Sequence, residues 1–363
     1  MKKLLLAALT VFTFVGLTGC ASEKKLTAEE AKTEIKAAQE NTAKALKEKK
    51  ALDVNAEVKF KANASAKNIK VDSSLGDLIP EVKTAKGGVD LQAKFGVAGS
   101  LEQMKLKANA DATAKINYEY TMGDKTEKKD WTVKGNGELY VVDTTEKTNI
   151  YAKGDATLPE DLAKMAGLEK TSFSGMINLL SEKEAPTEGE TEEDEDIEEI
   201  INSIDFDTLI KDWTIFKKKG STLIADCSDL KAFNLGDEDI QAELAKIGLT
   251  LKVSKFEIGL NKDDTIKSFD FNASLNGTVD LAKQDIDAED IVEMIETFNP
   301  AIASTLSTVT INGISGTVTV DASLTIGVKV AYTVAAITVP EDLAKLPETN
   351  IKDLIKGLFS SAK

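Results

Sequence analysis

The amino-acid sequence predicts an α+β fold: a large curved antiparallel β-sheet of long amphipathic strands with covering helices, an N-terminal helix coming first. Three observations predict it. Oily and watery side chains alternate with period two over tracts far longer than the usual five or six residues of a globular strand. Helical spacing is confined to the stretch near the N-terminus and to a few short segments between the tracts. The rhythm of alternating strand and helix that marks a parallel sheet is absent.

The chain opens MKKLLLAALTVFTFVGLTGC. Lys2 and Lys3 form a basic n-region, Leu4 to Val15 an apolar h-region, and Leu17-Thr18-Gly19-Cys20 a small-residue cleavage site. The run is too short to span a bilayer, which takes about 20 apolar residues. An ordinary signal peptide with a chance cysteine is the plain alternative. The Leu-Thr-Gly-Cys ending resembles the lipobox of bacterial lipoproteins. That resemblance implies cleavage between Gly19 and Cys20, a diacylglyceryl group on the Cys20 thiol, and a protein held on the extracytoplasmic face of the cell membrane. Two acyl chains hold a protein stably where one gives marginal binding. The expected organisation is a signal over 1–19, a lipidated tether over 20–26 and one large domain over 27–363.

Composition narrows the chemistry. The formal net charge is −16 over 363 residues, so nucleic acid and anionic headgroups are repelled. There is no histidine, and no arginine in the sequence as read. The imidazole base and the bidentate guanidinium fork are therefore missing, and with them catalytic triads, His-containing zinc sites and arginine clamps. A genome that encodes its cations as lysine explains the bias, and the chemical limit holds regardless. Cys227 is the sole cysteine besides Cys20. It lies in TLIADCSD, where Leu223 and Ala225 would share its strand face, so it reads as a small buried hydrophobe. No cofactor, metal site or catalytic residue is predicted.

Thr27 and Glu30 form a capping box, and Ala31, Ile35, Ala38, Thr42 and Ala45 or Leu46 recur at helical spacing behind it. From Leu52 the period changes to two, with Leu52, Val54, Ala56, Val58, Phe60, Ala62 and Ala64 apolar and the odd positions polar. The same alternation runs through Val89 to Val97, Met104 to Tyr120, Trp131 to Val141, Ile150 to Ala156, Leu249 to Leu260, Ile266 to Leu275 and Val318 to Ala336. The phase slips near Lys255, as at a β-bulge. Short helices are predicted over Pro159 to Met165, Glu193 to Ile210, Asp287 to Phe298 and Ile351 to Phe359.

The acidic loop and helix at about 182–210 reads as an insertion. Its carboxylates suit a solvated loop running into a helix N-terminus, and it lacks EF-hand spacing for calcium. The hexapeptide PEDLAK occurs at Pro159 to Lys164 and at Pro340 to Lys345. It reads as a reused strand-to-helix joint more readily than as tandem modules, because the flanking strand patterns do not align at that offset.

A lipobox, an N-terminal helix, long amphipathic strands and a mid-chain helical insertion together are similar to the half-barrel of LolA/LppX-like lipoprotein carriers and related surface lipoproteins of Gram-positive type. In that family a curved sheet wraps helices and encloses a lipid or acyl chain in its concave face. The resemblance implies a carrier or sensor for a lipid or other hydrophobic ligand, lined by Val58, Phe60, Leu106, Ile116, Phe269, Phe271, Val320 and Val330. Alanines such as Ala108, Ala110, Ala112 and Ala114 leave volume above the sheet, which either helices or a ligand fill. The competing reading is a structural or adhesive surface lipoprotein with a solid core and a protein partner. An enzyme ranks last, because no carboxylate pair stands out from the solvated faces.

Overall fold

The structure, a computed structural model, describes residues 23–73, 81–100, 102–122, 125–144, 146–165, 169–182, 206–208, 210–233, 240–284 and 311–350. The span expected as a signal, with Gly19, as well as Cys20 and the segments expected as helices over 287–298 and 351–359, lie outside these residues. So do 183–205 and 209 of the acidic insertion.

Among the described residues thirteen strands form one sheet. In chain order they are β1 (Glu23–Lys25), β2 (Ala51–Ser73), β3 (Val82–Ser100), β4 (Lys105–Met122), β5 (Lys125–Asp143), β6 (Lys147–Thr157), β7 (Ser172–Glu182), β8 (Phe216–Lys219), β9 (Thr222–Ala225), β10 (Leu249–Leu260), β11 (Ile266–Asp280), β12 (Ile311–Ala331) and β13 (Thr349–Asn350). Across the sheet the order is β1-β8-β9-β10-β11-β12-β2-β3-β4-β5-β6-β7-β13. The sheet is open, and every pairing is antiparallel except β13 beside β7. At about 3.3 Å per residue, the 23 residues of β2 reach about 75 Å.

Helix α1 (Ala28–Lys49) begins at the expected capping box: Glu30 N donates to Thr27 Oγ1 (3.2 Å), and Thr27 N donates to Glu30 Oε2 (2.9 Å). It ends at Lys50, whose backbone is left-handed with φ 49°. Its buried stripe of Ala31, Ile35, Ala38, Thr42, Ala45 and Leu46 is the predicted one. Among the described residues the helix is not the first element, because β1 precedes it and pairs with β8. Of the span read as a tether, Glu23 to Lys25 belong to the sheet edge, and Leu26 is buried with its N–H on Phe216 O.

α1 lies on the apolar face of the sheet. Its first half packs among Trp213, Phe216, Leu223, Phe256 and Ile258, and its second half against Leu52, Val54, Leu106, Val328 and Val330. Each such fully buried side chain contributes about 1.5–3 kcal/mol. Thr42 is the polar member of the stripe and is fully buried. Its Oγ1 accepts from Ile266 N at 3.0 Å and lies 3.3 Å from the buried Tyr332 hydroxyl, which donates to Ile266 O at 2.6 Å.

The bulge expected near Lys255 appears as a register shift between Val253 and Lys255 against β11. The β2/β12 ladder shifts between Ser315 and Thr317. There Gly316 takes φ +125° and Asn68 φ +53°, and a Cβ on Gly316 would stand 2.8 Å from Asn68 O, so glycine is required.

Several expectations are corrected. The tract expected to continue as strand to Ala336 ends at Ala331. Tyr332 anchors on the apolar side through Ile266 O, while Val334, Ile337 and Val339 pack with Tyr140 and Tyr151. The register of β5 and β6 puts those two tyrosines on the opposite face, so the chain crosses the end of the sheet instead of extending. Ile337 is tied there to Gln103 Oε1 and Lys105 Nζ. The end of the helix expected over Glu193 to Ile210 is a 3-10 turn at Phe206–Thr208, followed by a bridge from Ile210 to Phe233. Trp213 Nε1 donates to Asp207 Oδ1 at 2.7 Å and draws that turn against the core.

The two PEDLAK copies form α2 (Glu160–Met165) and α4 (Glu341–Ala344), and a third short helix, α3, spans Ile240–Lys246. In α2 the buried residue is Ala163, whereas in α4 it is Leu343. These are different places in the hexapeptide, and α4 packs on the face bearing Tyr140. A reused joint describes the two copies better than a repeated module.

Candidate functional site

The strand registers convert the period-two pattern into one continuous apolar face. Reading across β11, β12, β2 and β3, Phe269, Val328, Ala56 and Phe95 form one row, and Phe271, Ile326, Val58 and Ala93 the next. Further along lie Leu324, Phe60, Leu91, Ala114 and Val133, then Ala322, Ala62, Val89, Ile116 and Trp131, then Val320, Ala64, Gly87, Tyr118 and Lys129. All eight residues expected to line a ligand share this face.

They do not gather at one point. Leu106 and Ile116 are ten residues apart on β4, about 33 Å along the strand. Leu106 (2% exposed) and Val330 (5%) are buried in the cluster that includes Ala43 and Leu46 of α1, so their volume is taken up by helix packing. Phe269 and Phe271 stack on each other with ring centroids 6.2 Å apart and join the aromatic chain through Phe256. Val58, Phe60, Ile116 and Val320 are half-buried.

The opposite face carries the polar positions. Lys255 bridges Asp270 (2.7 Å) and Glu257 (3.4 Å), and Lys153 meets Glu138 at 3.1 Å. Burial raises the Glu138 carboxyl, but hydrogen bonds from Lys153 and Tyr140 outweigh it and hold it below the ordinary range.

At the β4/β5 hairpin end the apolar face becomes polar. Register places Trp131 beside Ile116 and Lys129 beside Tyr118. Tyr118 stands edge-to-face on Trp131 at 5.4 Å, and its hydroxyl donates to Glu127 Oε1 at 3.3 Å. Lys129 Nζ donates to Asp161 on α2, which draws that helix to this face, and the same bond holds the Asp161 carboxyl low. Trp131 Nε1 is buried and has no hydrogen-bond partner. An indole nitrogen can only donate, so the lost hydration, about 1–3 kcal/mol, is uncompensated. The neighbouring tyrosine ring supplies at most a weak π acceptor. Sequence reading passed over these residues, although a lysine in apolar phase with Trp131 and Val133 was the available signal.

The clefts lined by described residues include the following two. One, about 310 Å³, is lined by Lys25, Asp212, Thr214, Asp226, Ser228 and Asp229. Its carboxylates are structural: Asp212, Asp226 and Asp229 each accept a backbone N–H two residues on. The other, about 560 Å³, is lined by Lys49, Asn261, Lys262, Asp263, Lys267 and Val330 among others. Of the eight predicted lining residues only Val330 borders either cleft. Among the described residues no group of three or more acidic, cysteine or histidine side chains is placed to hold a metal ion, and no helix is long and apolar enough to cross a membrane.

Cys227 lies just past β9, half-buried against the cluster that includes Phe216, Leu223 and Phe256, with Sγ 3.5 Å from Ala225 O. Burial, with Asp226 and Glu257 nearby, pushes its thiol up to about 11.

No protein-family model matches the chain, and no curated protein matches it. Among solved structures, the InvG secretin domain β-barrel from the Salmonella SPI-1 injectisome NC-base aligns with 85% of this chain and 68% of its own at 8% identity. The TM-score is 0.13, and a likeness at that level carries no argument about fold or function.

Proposed function

We propose that the protein is a lipoprotein anchored by acyl chains on Cys20 to the extracytoplasmic face of the cell membrane, and that it holds a lipid or other hydrophobic molecule against its apolar sheet face. The observation that carries this is the outer part of that face, where Val58, Phe60, Ile116 and Val320 stay half-buried while their counterparts under α1 are fully buried. The sheet would curl around this face as in the LolA/LppX-like half-barrels. Transfer would be driven by removal of apolar area from water, without covalent chemistry. The reach from Cys20 to β1 is three residues, about 10 Å, so the sheet edge formed by β1 and β8 would sit at the lipid surface.

A structural or adhesive role is the second reading, favoured by the solid packing of Leu106, Val330 and Phe269 beneath α1. Two measurements separate the ideas. Radiolabelled palmitate should enter the wild-type protein and not Cys20→Ala, which should leave the membrane fraction; equal labelling of both removes the anchor. Mass spectrometry of a gently extracted, signal-free Cys20→Ser protein should show a co-purifying lipid near one per chain. An empty protein that crosslinks to a surface partner on whole cells supports the structural role instead.

A further inference from the structure

We infer that the β4/β5 end of the apolar face is a head-group site that receives the oxygen of an acyl carboxylate or acyl ester on the indole N–H of Trp131. The inference rests on the carrier reading and adds to it a ligand class and an orientation. A purely hydrocarbon guest needs no donor, whereas Trp131 Nε1 is buried with its one hydrogen unpaired at the place where the face turns polar. Its surroundings suit one end of an amphiphile. Lys129, two residues away on the same face of β5 and about 7 Å along the strand, brings an ammonium. Tyr118, opposite Lys129, brings a hydroxyl and stands against the indole.

In the other direction the row of Val133, Ala114, Leu91, Phe60 and Leu324 is apolar throughout. An acyl tail laid on that row would put its carboxyl end at Trp131. The charges at this end are Lys129, Asp161 sharing its ammonium from α2, and Glu127 on the same face of β5, which accepts from the Tyr118 hydroxyl; Lys129 is the cation that would hold a carboxylate, whereas an ester oxygen needs the indole N–H alone. Binding would supply the hydrogen bond that no group of the protein itself makes to Trp131 Nε1.

The chain has two tryptophans, which gives an internal control. Trp213 Nε1 is already bonded to Asp207. In ¹H–¹⁵N spectra of the signal-free Cys20→Ser protein, hexadecanoic acid should move the Trp131 indole proton downfield and leave that of Trp213 in place. Trp131→Phe should bind the acid about tenfold more weakly, with folding checked by Trp213 emission. The methyl ester of the acid distinguishes the sources. A shift with both probes points to an ester-linked lipid or free acid, and a shift with the acid alone to free fatty acid held by Lys129 as well. Binding with no movement of the Trp131 signal and no loss in Trp131→Phe overturns the head-group assignment while the carrier reading stands. Absence of binding by either probe to wild type overturns both.

Discussion

Thr42→Val tests how α1 is held on the sheet. Valine keeps the β-branch and nearly the volume of threonine, so no cavity forms, but it removes the oxygen that accepts Ile266 N at 3.0 Å. Ile266 is 3% exposed and Thr42 fully buried, so water does not replace that acceptor. Stranding a buried N–H costs about 1–3 kcal/mol, and ~2 kcal/mol is the expected loss. With an unfolding entropy near 2.1 cal/mol/K per residue, a chain of this length has ΔS of about 0.7 kcal/mol/K, so Tm should fall by ~3 °C. Calorimetry on the signal-free protein measures this, with Thr42→Ser as the variant that retains the acceptor. Tyr332→Phe should be destabilising too, since Ile266 O then loses its 2.6 Å donor. The double variant should lose less than the sum, because the two hydroxyls are in contact. A Tm change below about 1 °C for Thr42→Val, or strict additivity, would refute the role given to these buried hydrogen bonds.

Two glycines on β-strands should respond in opposite ways to alanine. Gly277→Ala puts a Cβ 2.0 Å from Gly248 O, a backbone atom that cannot swing away, and should cost more than about 3 kcal/mol in urea titration. Gly175→Ala meets nothing within 4 Å and should be neutral or stabilising by about 0.4–1 kcal/mol; the reverse order would show that the ladder near Gly248 relaxes. Cys227, with its thiol pushed up to about 11, should react with iodoacetamide at pH 8 roughly 100-fold more slowly than free cysteine and recover in denaturant. Native labelling at the free rate would place that sulfur in water.

Much of the architecture was legible one residue at a time. The stripe of α1, its capping box, the long strands and the bulge beside Lys255 all follow from local periodicity, because alternation on extended backbone assigns each side chain to a face. The misreading at Tyr332 to Ala336 shows the limit. Those residues keep the alternating pattern, but Tyr332 binds Ile266 on one side of the sheet and Val334 meets Tyr140 on the other. A period says that a segment has two faces, not that one strand presents both.

The candidate site divides in the same way. The eight residues expected to line a ligand were chosen because each is apolar in phase, and they do share one face. Which of them are consumed by packing depended on where α1 lies, which nothing in β2, β4 or β12 encodes. Trp131 was read as one more apolar residue, since its unpaired nitrogen exists only through what surrounds it.

By itself, then, the sequence determined the absence of imidazole and guanidinium side chains and the two-faced strands, and it raised the expectation of an export signal over 1–19, all being properties of single residues or near neighbours. Tertiary structure alone decided the strand order with β12 beside β2, the crossing of the chain around the sheet end, and the polar group formed by Tyr118, Lys129 and Trp131. The physical reason is range: hydrogen-bond partners chosen across hundreds of residues depend on which surfaces exclude water together, and no local pattern records that choice.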